Sequence, residues 1–525
     1  MDCRNNILVL ILLMMVTGVS AQDRYVVYFT DKANNTYSLE SPEEFLSDRS
    51  LSRRSRQGIN LVEADLPVTE SYLNTLRGLG IRPYYASKWL NAALIQVFPE
   101  ELTAVESLPF VSGIELVAND PQLPTGGRVA TPDDVTGTTD RGNIAHEWHG
   151  INRIHENRNF GAAMRIAVMD ANFFNVNILP EFAHLFNNQQ LIMAENIVNG
   201  NNDVYQGPYN HGTRVLSILA GMKGEEFIGI APESEYMLFQ TEDGPTENRV
   251  EEFNWTVAAE KADSAGADVI TSSLGYSYGY SDPSMNYTYE DMDGQTTMIS
   301  RAAKRAVETG MVVVSSAGNE GNSGWRFITA PADVENVLAV GAVASDSMRA
   351  SFSSFGPTFD GRTKPDIVSL GVQTPQINHL GQVIGGNGTS FSAPVIAGFA
   401  ALLWQEYPDL TNLELLDLIR NSGHLSGSPS NEYGYGIPNI QIVLGNEELH
   451  DNQPVIYPNP ATDIIFWRGE IRYDEISIHN LQGQRLETRI NISDNSIQVD
   501  HLPDGVYILT LVSGSSVEQI RFVKK

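Results

Sequence analysis

Short apolar runs rich in β-branched residues alternate with helical stretches between residues 141 and 445, and this alternation constrains the fold most. The helical stretches include 253–265 and 297–309, whereas 166–169 and 312–314 are continuous apolar runs. Runs of the second kind are typical of strands that are buried on both faces. The order therefore predicts an α/β unit with a parallel sheet and helices on both of its faces.

A Gly-Thr-Ser sequence, Gly388-Thr389-Ser390, leads directly into an apolar stretch over 393–403 that predicts a buried helix. Ser390 is therefore expected at a helix start, where backbone N–H groups lack intrahelical acceptors and the helix dipole favours negative charge. A serine nucleophile at such a position would have donors nearby for an oxyanion. A helix N-cap role is the alternative interpretation of the same residue.

Two further segments carry groups that could work with this serine. The apolar run 166–169 ends in Asp170, and open α/β sheets bind their ligands at the carboxyl ends of strands. His211 lies in the sequence Asn-His-Gly-Thr ahead of an amphipathic stretch. The three residues follow one another as Asp170, His211 and Ser390, which is one of the known orders of an Asp-His-Ser triad.

Taken together, these segments resemble the catalytic motifs of the subtilisin-like serine proteases, the subtilases. The resemblance implies acyl transfer in which Ser390 attacks the peptide carbonyl, His211 carries the proton and Asp170 fixes the imidazole tautomer. The chain departs from the family pattern at Asn172, where Gly is usual, and at Arg214, where His is usual. Asn also accepts turn conformations with positive φ, and Arg214 lies one turn beyond the proton carrier.

The run 312–314 leads to Asn319, and the resemblance implies that its side-chain amide donates to the oxyanion beside the backbone N–H of the nucleophile. Two segments are predicted to bind the substrate as strand edges, namely Ser272, Ser273, Leu274 and Gly275 in the first and Ser316, Ala317 and Gly318 in the second. The aromatic stretch 276–280 suggests large apolar rings at the floor of the specificity pocket.

Residues 1–21 have the pattern of a signal peptide, with Arg4 before an apolar stretch and small residues at 19–21. The only cysteine, Cys3, lies in this segment, so the rest of the chain offers no disulfide, cysteine nucleophile or cysteine zinc ligand. A net charge of -30 disfavours nucleic acid and anionic membranes as partners. Composition thus favours a secreted protein with an acidic, soluble surface.

The segment 22–119 predicts a small α+β sandwich ahead of the α/β unit. Its predicted strands are 25–29, 93–98 and 111–117, and its predicted helices are 41–46 and 68–79. Its position and pattern resemble the subtilase propeptide, which implies a folding chaperone and inhibitor that is later cut away; a permanent N-terminal domain is the alternative. The basic run is interpreted as a solvated helix face and consists of Arg49, Arg53, Arg54 and Arg56. The segment 120–140, rich in Pro, Gly, Thr and Asp, is the predicted linker with the cleavage site.

The tail, 446–525, changes to short alternating strands with turn signals such as Asp504-Gly505, which predicts a small β-sandwich. Tyr457-Pro458-Asn459-Pro460, the segment 502–509 and the basic end 521–525 resemble the C-terminal sorting domain of the type IX secretion system of Bacteroidota. That implies export across the outer membrane. An adhesive or carbohydrate-binding β-module is the alternative.

The combined prediction is a secreted serine endopeptidase that cleaves extracellular proteins, released from or held at the outer-membrane surface of a Gram-negative bacterium. A subtilase-fold binding protein with weak or no catalysis is the alternative. The chemistry needs no cofactor; structural calcium is conceivable from the acidic surface, but no ligands are predicted. The expected partners are polypeptide substrates, the protein's own propeptide and the type IX machinery, with no nucleic acid, and the expected assembly is a monomer.

Overall fold

The computed structural model describes residues 22–119, residues 144–440 except 208 and 243–246, and most of 455–525. The predicted signal peptide, the predicted linker and the Pro-Asn-Pro sequence at 458–460 lie outside the described residues. The chain divides into two compact units, 1–440 and 441–525. Within the described part, no helix has both the length and the apolar character that a bilayer crossing requires.

Residues 22–119 form the predicted α+β sandwich, with an antiparallel sheet in the order β2–β3–β1–β4. Its elements are β1 (Asp23–Phe29), α1 (Asp48–Arg56), α2 (Glu70–Gly78), β2 (Tyr85–Ser87), β3 (Ala92–Val97), α3 (Leu102–Glu106) and β4 (Val111–Ala118). Leu73 and Leu76 of α2 belong to the same buried cluster as the strands. The helix predicted at 41–46 is only a 3₁₀ turn, Pro42–Glu44, whose N-cap Ser41 makes no side-chain bond to it.

The interpretation of the basic run as a solvated face was wrong for two of its arginines. Arg53 and Arg54 on α1 are each only 2% exposed. Their guanidinium groups pair with Asp263 at 2.6 and 2.9 Å, and Lys88 reaches the same carboxylate at 3.1 Å. The partner is buried and lies 210 residues beyond Arg53, so the local sequence of α1 carries no sign of it. Arg56, by contrast, is exposed.

Residues 144–440 of the first unit contain a seven-stranded sheet in the order β13–β12–β11–β10–β5–β9–β6, with every described pairing parallel. The strands of this sheet are β5 (Arg165–Asp170), β6 (Leu191–Asn196), β9 (Glu235–Gln240), β10 (Val269–Ser272), β11 (Val312–Ser316), β12 (Leu338–Val343) and β13 (Ile367–Leu370). Two small hairpins are separate from it: β7 (Met222–Lys223) with β8 (Phe227–Ile228), and β14 (Thr374–Ile377) with β15 (Val383–Gly386). The helices are α4 (Ile144–His149), α5 (Ile151–Glu156), α6 (Ala183–Asn187), α7 (His211–Ala220), α8 (Val250–Ala265), α9 (Met298–Glu308), α10 (Thr389–Glu406) and α11 (Asn412–Asn421). The predicted α/β architecture is confirmed.

Helix α10 is the buried helix that the apolar stretch predicted. Every residue from Thr389 to Trp404 is buried, and the helix packs against β10 to β13 and against α7. A Cβ atom at Gly398 would lie 2.6 Å from Ile230, so the chain can approach the helix there only because Gly has no side chain. This packing fixes the first turn of α10 at the carboxyl edge of the sheet.

The C-terminal unit is a sandwich of two four-stranded antiparallel sheets, as predicted. Its strands are β16 (Val455–Tyr457), β17 (Ile464–Arg468), β18 (Glu475–Asn480), β19 (Arg485–Leu486), β20 (Arg489–Asn491), β21 (Ser496–Gln498), β22 (Gly505–Ser513) and β23 (Ser516–Lys524). Ile465 and Ile497 from one sheet share a buried cluster with Ile478 and Leu509 from the other. The unit therefore has its own core.

Candidate active site

Three segments that are far apart in the chain meet where the parallel strands end. Asp170 is the last residue of β5, His211 is the first residue of α7, and Ser390 is the second residue of α10. The chain crosses from one side of β5 to the other after β9. Crevices of open α/β sheets form at such crossover points, outside the carboxyl ends of the strands.

Asp170 and His211 form the central contact of the site. The Nδ1 atom of His211 lies 2.7 Å from Oδ1 of Asp170, which also accepts the backbone N–H of Ala171 at 2.8 Å. The Asp170 side chain is fully buried, whereas the His211 side chain is 20% exposed. Because a carboxylate only accepts, the Nδ1 position carries the proton and Nε2 is the acceptor.

Ser390 lies in the same cleft and is 8% exposed. The next residue, Phe391, packs its ring against the His211 imidazole, with ring centres 5.6 Å apart. The Ser390 hydroxyl donates to the Ser273 carbonyl at 3.2 Å. Without substrate, the Ser390 hydroxyl therefore donates to Ser273 and not to His211. Catalytic hydrogen bonds such as one between Ser390 and His211 often form only once substrate is bound.

Pro394 explains a second contact between the same two serines. Proline has no N–H, so a proline in the second turn of α10 leaves the carbonyl of Ser390 without its usual helical donor. The Ser273 hydroxyl supplies that donor at 2.8 Å. Ser273, which directly follows β10, is therefore bonded to Ser390 through both its carbonyl and its side chain.

Asn319 is held by its oxygen. Its Oδ1 accepts the backbone N–H of Thr389 at 2.9 Å and the Thr389 hydroxyl at 3.0 Å. The oxygen therefore caps the first turn of α10, where N–H groups lack intrahelical acceptors. Because Asn319 is exposed, its amide nitrogen is left to donate to a group bound beside Ser390.

The two predicted substrate-binding segments lie side by side. The Ser316 hydroxyl donates to the Leu274 carbonyl at 3.3 Å, which joins the segments. A Cβ atom would lie 2.2 Å from the Thr329 hydroxyl if placed on Gly275, and 3.0 Å from it if placed on Gly318. Both glycines are therefore needed for the two segments to close around Thr329.

The predicted substrate-binding side chains are all buried, and two of them completely. Ser272 is fully buried and accepts the indole N–H of Trp255 on α8 at 3.0 Å. Ala317 is also fully buried. These positions can shape the segments but cannot offer a side chain to a bound peptide.

In the aromatic stretch after β10, Tyr276 and Tyr280 do not form an open apolar floor, whereas Tyr278 is exposed. Tyr276 and Tyr280 are buried, and their hydroxyls donate to Glu242 and Glu252 respectively. Burial raises the pKa of Glu252, and its hydrogen bonds to tyrosines oppose that rise. These rings belong to the core beside α8, because their polar ends find carboxylates there, the fully buried Glu252 and the half-buried Glu242.

The two departures from the family pattern are accommodated in different ways. The sequence analysis explained Asn172 by a turn conformation with positive φ, but Asn172 does not have a positive φ. The side-chain amide nitrogen of Asn172 donates to the Gln206 carbonyl at 2.9 Å. The backbone carbonyl of Asn172 lies so close to Gly212 that a Cβ atom there would be only 2.6 Å from it. Arg214 is buried and places its guanidinium 4.8 Å from the centre of the Phe391 ring.

Sequence reasoning missed Thr329 and Phe391. Phe391 stands next to the nucleophile, so its position in the chain could have pointed to it. Thr329 has no such local signal, because only the tertiary fold brings it between Gly275 and Gly318.

An acidic cluster lies near the buried tyrosines. Carboxylate oxygens of Glu242, Glu247 and Glu251 all lie within 4.8 Å of one another. Oxygen donors of this kind suit a hard cation such as Ca²⁺.

Profiles of known families match three parts of the chain. The subtilase family, Peptidase S8, matches residues 161–436. The Peptidase S8 propeptide domain of Bacteroidota matches 24–129, and a secretion system C-terminal sorting domain matches 455–525. The resemblances of the N-terminal and C-terminal segments are thereby confirmed, and the last match indicates a protein that is secreted or carried at the cell surface.

Curated relatives agree with the central match. Subtilisin from Bacillus pumilus is 32% identical over 242 residues, which is 46% of this chain and 78% of that protein. Subtilisin E from Bacillus subtilis (strain 168) is 28% identical over 313 residues, covering 57% of this chain and 73% of that protein. The crystal structure of MycP1 from Mycobacterium smegmatis aligns at 22% identity with a TM-score of 0.45, over 57% of this chain and 84% of that one. On the profile match, with which the two subtilisins agree, the chain belongs to the subtilase family of serine endopeptidases.

Proposed function

We propose that this protein is an exported zymogen whose mature form hydrolyses peptide bonds of extracellular proteins through an acyl-enzyme on Ser390. The observation that carries the proposal is the 2.7 Å bond between His211 and the buried Asp170, in the cleft that also holds Ser390. A buried carboxylate bonded to one imidazole nitrogen sets the other nitrogen up as a base.

The proposed steps follow from these positions. His211 Nε2 takes the proton of Ser390 as its Oγ attacks the peptide carbonyl, and the imidazolium returns that proton to the leaving amine. Asp170 stabilises the imidazolium. Water then attacks the acyl-enzyme by the same route in reverse, which releases the second product and restores the serine.

The negative charge that develops on the carbonyl oxygen needs donors in place. The backbone N–H of Ser390 lies in the first turn of α10, and the Asn319 amide nitrogen lies beside it with its oxygen already bonded to Thr389. Donors fixed before the reaction cost no reorganisation during it. Both groups are therefore assigned to the oxyanion.

Substrate recognition is proposed to use the two joined segments. An extended peptide is proposed to bond to the backbone at the ends of β10 and β11, with its side chain against Gly275 and Gly318. Thr329, which packs against both glycines, limits the depth available to that side chain. The proposed preference is for a side chain of moderate size.

The N-terminal domain is proposed to act as propeptide and inhibitor. It is bonded to α8 through buried charges, and Glu260 of α8 accepts the backbone N–H groups of Lys88 and Trp89 at 2.9 and 3.0 Å. The C-terminal unit is proposed to direct export by the type IX machinery, with release outside or retention on the outer-membrane surface.

A comparison of the wild type with Ser390→Ala tests this proposal. The wild type is expected to release its N-terminal domain and digest casein, whereas the variant should fold, stay full-length and leave casein intact. A folded wild type that does neither, even after trace trypsin has removed the N-terminal domain, would favour a binding protein with the subtilase fold.

This chemistry needs no metal or cofactor. Structural calcium is a separate proposal, for which Glu242, Glu247 and Glu251 are the residues that fit. Thermal unfolding of the Ser390→Ala protein with Ca²⁺ or with chelator tests it: an unchanged melting temperature would argue against a bound ion.

A further inference from the structure

Arg214 is a buried cation beside the proposed triad. It lies one turn after His211 on α7 and is only 5% exposed. A buried charge is costly unless its neighbours compensate it. The contacts of its guanidinium group therefore indicate what role the residue has in the fold.

The first contact is with Phe391. The guanidinium carbon lies 4.8 Å from the centre of this ring, a distance at which a cation is attracted to the face of the ring. The same ring lies 5.6 Å from the His211 imidazole, with 36° between the planes. Phe391 also follows Ser390 directly on the buried helix α10. One ring thus links Arg214 to both the base and the nucleophile.

The second contact is with the hairpin β14–β15. The Gln376 amide is assigned the orientation in which its oxygen faces two donors; in this orientation the oxygen accepts from Arg214 Nη2 at 3.1 Å and from the Gly386 N–H at 3.0 Å. A Cβ atom at Gly386 would lie 1.6 Å from the Gln376 amide and 2.8 Å from Phe391. Glycine at 386 is what lets Gln376 and Phe391 reach these positions together.

The backbone of Arg214 is held as well. The Ser217 hydroxyl donates to the Arg214 carbonyl at 2.7 Å and accepts the Ile377 N–H at 2.8 Å. The backbone of Arg214, through Ser217, and its guanidinium group, through Gln376, are therefore both bonded to β14. The guanidinium group has little freedom to leave the Phe391 ring.

We propose that Arg214 is a positioning residue, which holds the Phe391 ring against His211 and so keeps the imidazole aligned with Ser390. The inference rests on the proposed triad. A guanidinium can lie flat on a ring while donating in its own plane, which a lysine ammonium cannot do. The predicted substrate segments, 272–275 and 316–318, do not include any residue of this assembly.

The test measures kcat and KM for a chromogenic peptide, with kcat expressed per active site titrated by a fluorophosphonate. Arg214→Met keeps the length but removes charge, plane and donors. We expect kcat to fall roughly ten- to a hundredfold, because small misplacements of catalytic groups have effects of this size. KM is expected to stay within about twofold, since uniform substrate binding is not altered. Arg214→Lys should resemble Arg214→Met.

Two controls separate positioning from stability. Arg420→Met removes another largely buried arginine, which pairs with Asp366 at 2.8 Å; it should lower the melting temperature but leave kcat per titrated site unchanged. Phe391→Leu should lower kcat by itself, and adding Arg214→Met to it should cost little more, because both act through one ring.

The outcomes are distinct. An unchanged kcat per titrated site in Arg214→Met, or losses that simply multiply in the double variant, would overturn the positioning role while the proposed function stands. A folded wild type that the fluorophosphonate does not label would instead remove the proposed function, and the inference with it.

Discussion

At the scale of single residues, the site depends on which end of an amide is held. Asn319 could place either its oxygen or its nitrogen toward a substrate, but Thr389 donates to the oxygen twice. Only the nitrogen is then left to donate to a bound group, which supports the proposed oxyanion role of Asn319.

Replacement of Asn319 by Leu is expected to lower kcat by about 10²–10³-fold with little change in KM, the range measured when subtilisin loses its equivalent donor. Thr389→Val, which removes one of the two bonds that orient the amide, should give a smaller loss. Steady-state kinetics on a peptide amide checks both. An Asn319→Leu variant with kcat close to the wild type would show that the oxyanion does not use this group.

Residues of the site differ in how far the sequence could reveal them. Asp170, His211 and Ser390 each stand in a short local pattern at the end of a strand or the start of a helix, so sequence alone could predict them. Thr329 and the contact between Arg214 and Phe391 depend on which distant segments pack together. No local pattern records such packing, and the expectation for Asn172 failed because its environment was set by Gln206.

At the scale of elements, the contact between α1 and α8 is a buried cluster of charges. Asp263 on α8 is fully buried against Arg53, Arg54 and Lys88. Burial alone would raise the pKa of Asp263, but these three cations lower it well below the usual range. The carboxylate therefore stays charged at any ordinary pH.

Asp263→Asn is expected to destabilise the full-length Ser390→Ala protein by about 3–5 kcal/mol, because it leaves buried cations without their anion. Glu70→Gln is the control. It breaks the pair between Glu70 and Arg77, which are about half exposed, and should cost less than about 1 kcal/mol. Chemical unfolding measures both. Equal costs for the two variants would contradict the importance of the buried cluster.

Helix α4 carries a buried histidine, His149, whose protonation is expected to destabilise the folded protein. His149 lies 2.7 Å from the Pro438 carbonyl and 2.8 Å from the Ser369 hydroxyl. Burial lowers the pKa of His149 to about 4. Burial also lowers the pKa of the neighbouring His146 and of His155, so the three act in the same direction.

The pH dependence follows from the sign of these shifts. Between the unfolded pKa of about 6.5 and the folded value, the unfolded chain binds a proton at His149 that the folded chain does not, so stability falls as pH falls. The expected loss from His149 alone is about 3 kcal/mol across that window. Melting of the Ser390→Ala protein from pH 7.5 to about 4 measures it. His149→Gln should flatten the slope, whereas exposed His501→Gln should not; identical slopes would refute the assignment.

The sequence could predict most of the elements because strand and helix periodicities are local. It placed the parallel sheet, α10 and the two flanking β-containing units. It misjudged the face of α1, because Arg53 meets a partner 210 residues away, and it took Pro42–Glu44 for a longer helix because a favourable start does not guarantee continuation.

At the scale of the whole molecule, the chain combines a subtilase domain with a propeptide domain and a C-terminal sorting domain. The segment matched as propeptide belongs to the same compact unit as the proposed active site, whereas the sorting domain forms a separate unit with its own core. Catalysis and export should therefore be separable.

Truncation after residue 440 is expected to leave casein hydrolysis by the purified, matured protein unchanged within about twofold, because no residue of the proposed site lies beyond it. In a Bacteroidota host with a type IX system, the truncated chain should accumulate inside the outer membrane while the full chain reaches the outside. Fractionation followed by immunoblotting checks this. Equal export of both chains would remove the sorting role.

The most direct test of the central claim is to locate the nucleophile covalently. Folded wild-type protein would be treated with a fluorophosphonate after its N-terminal domain has been removed, digested, and mapped by mass spectrometry. The account predicts one adduct, on Ser390, which disappears in Ser390→Ala and forms far more slowly in His211→Ala. An adduct on another residue, or none on folded protein, would contradict it.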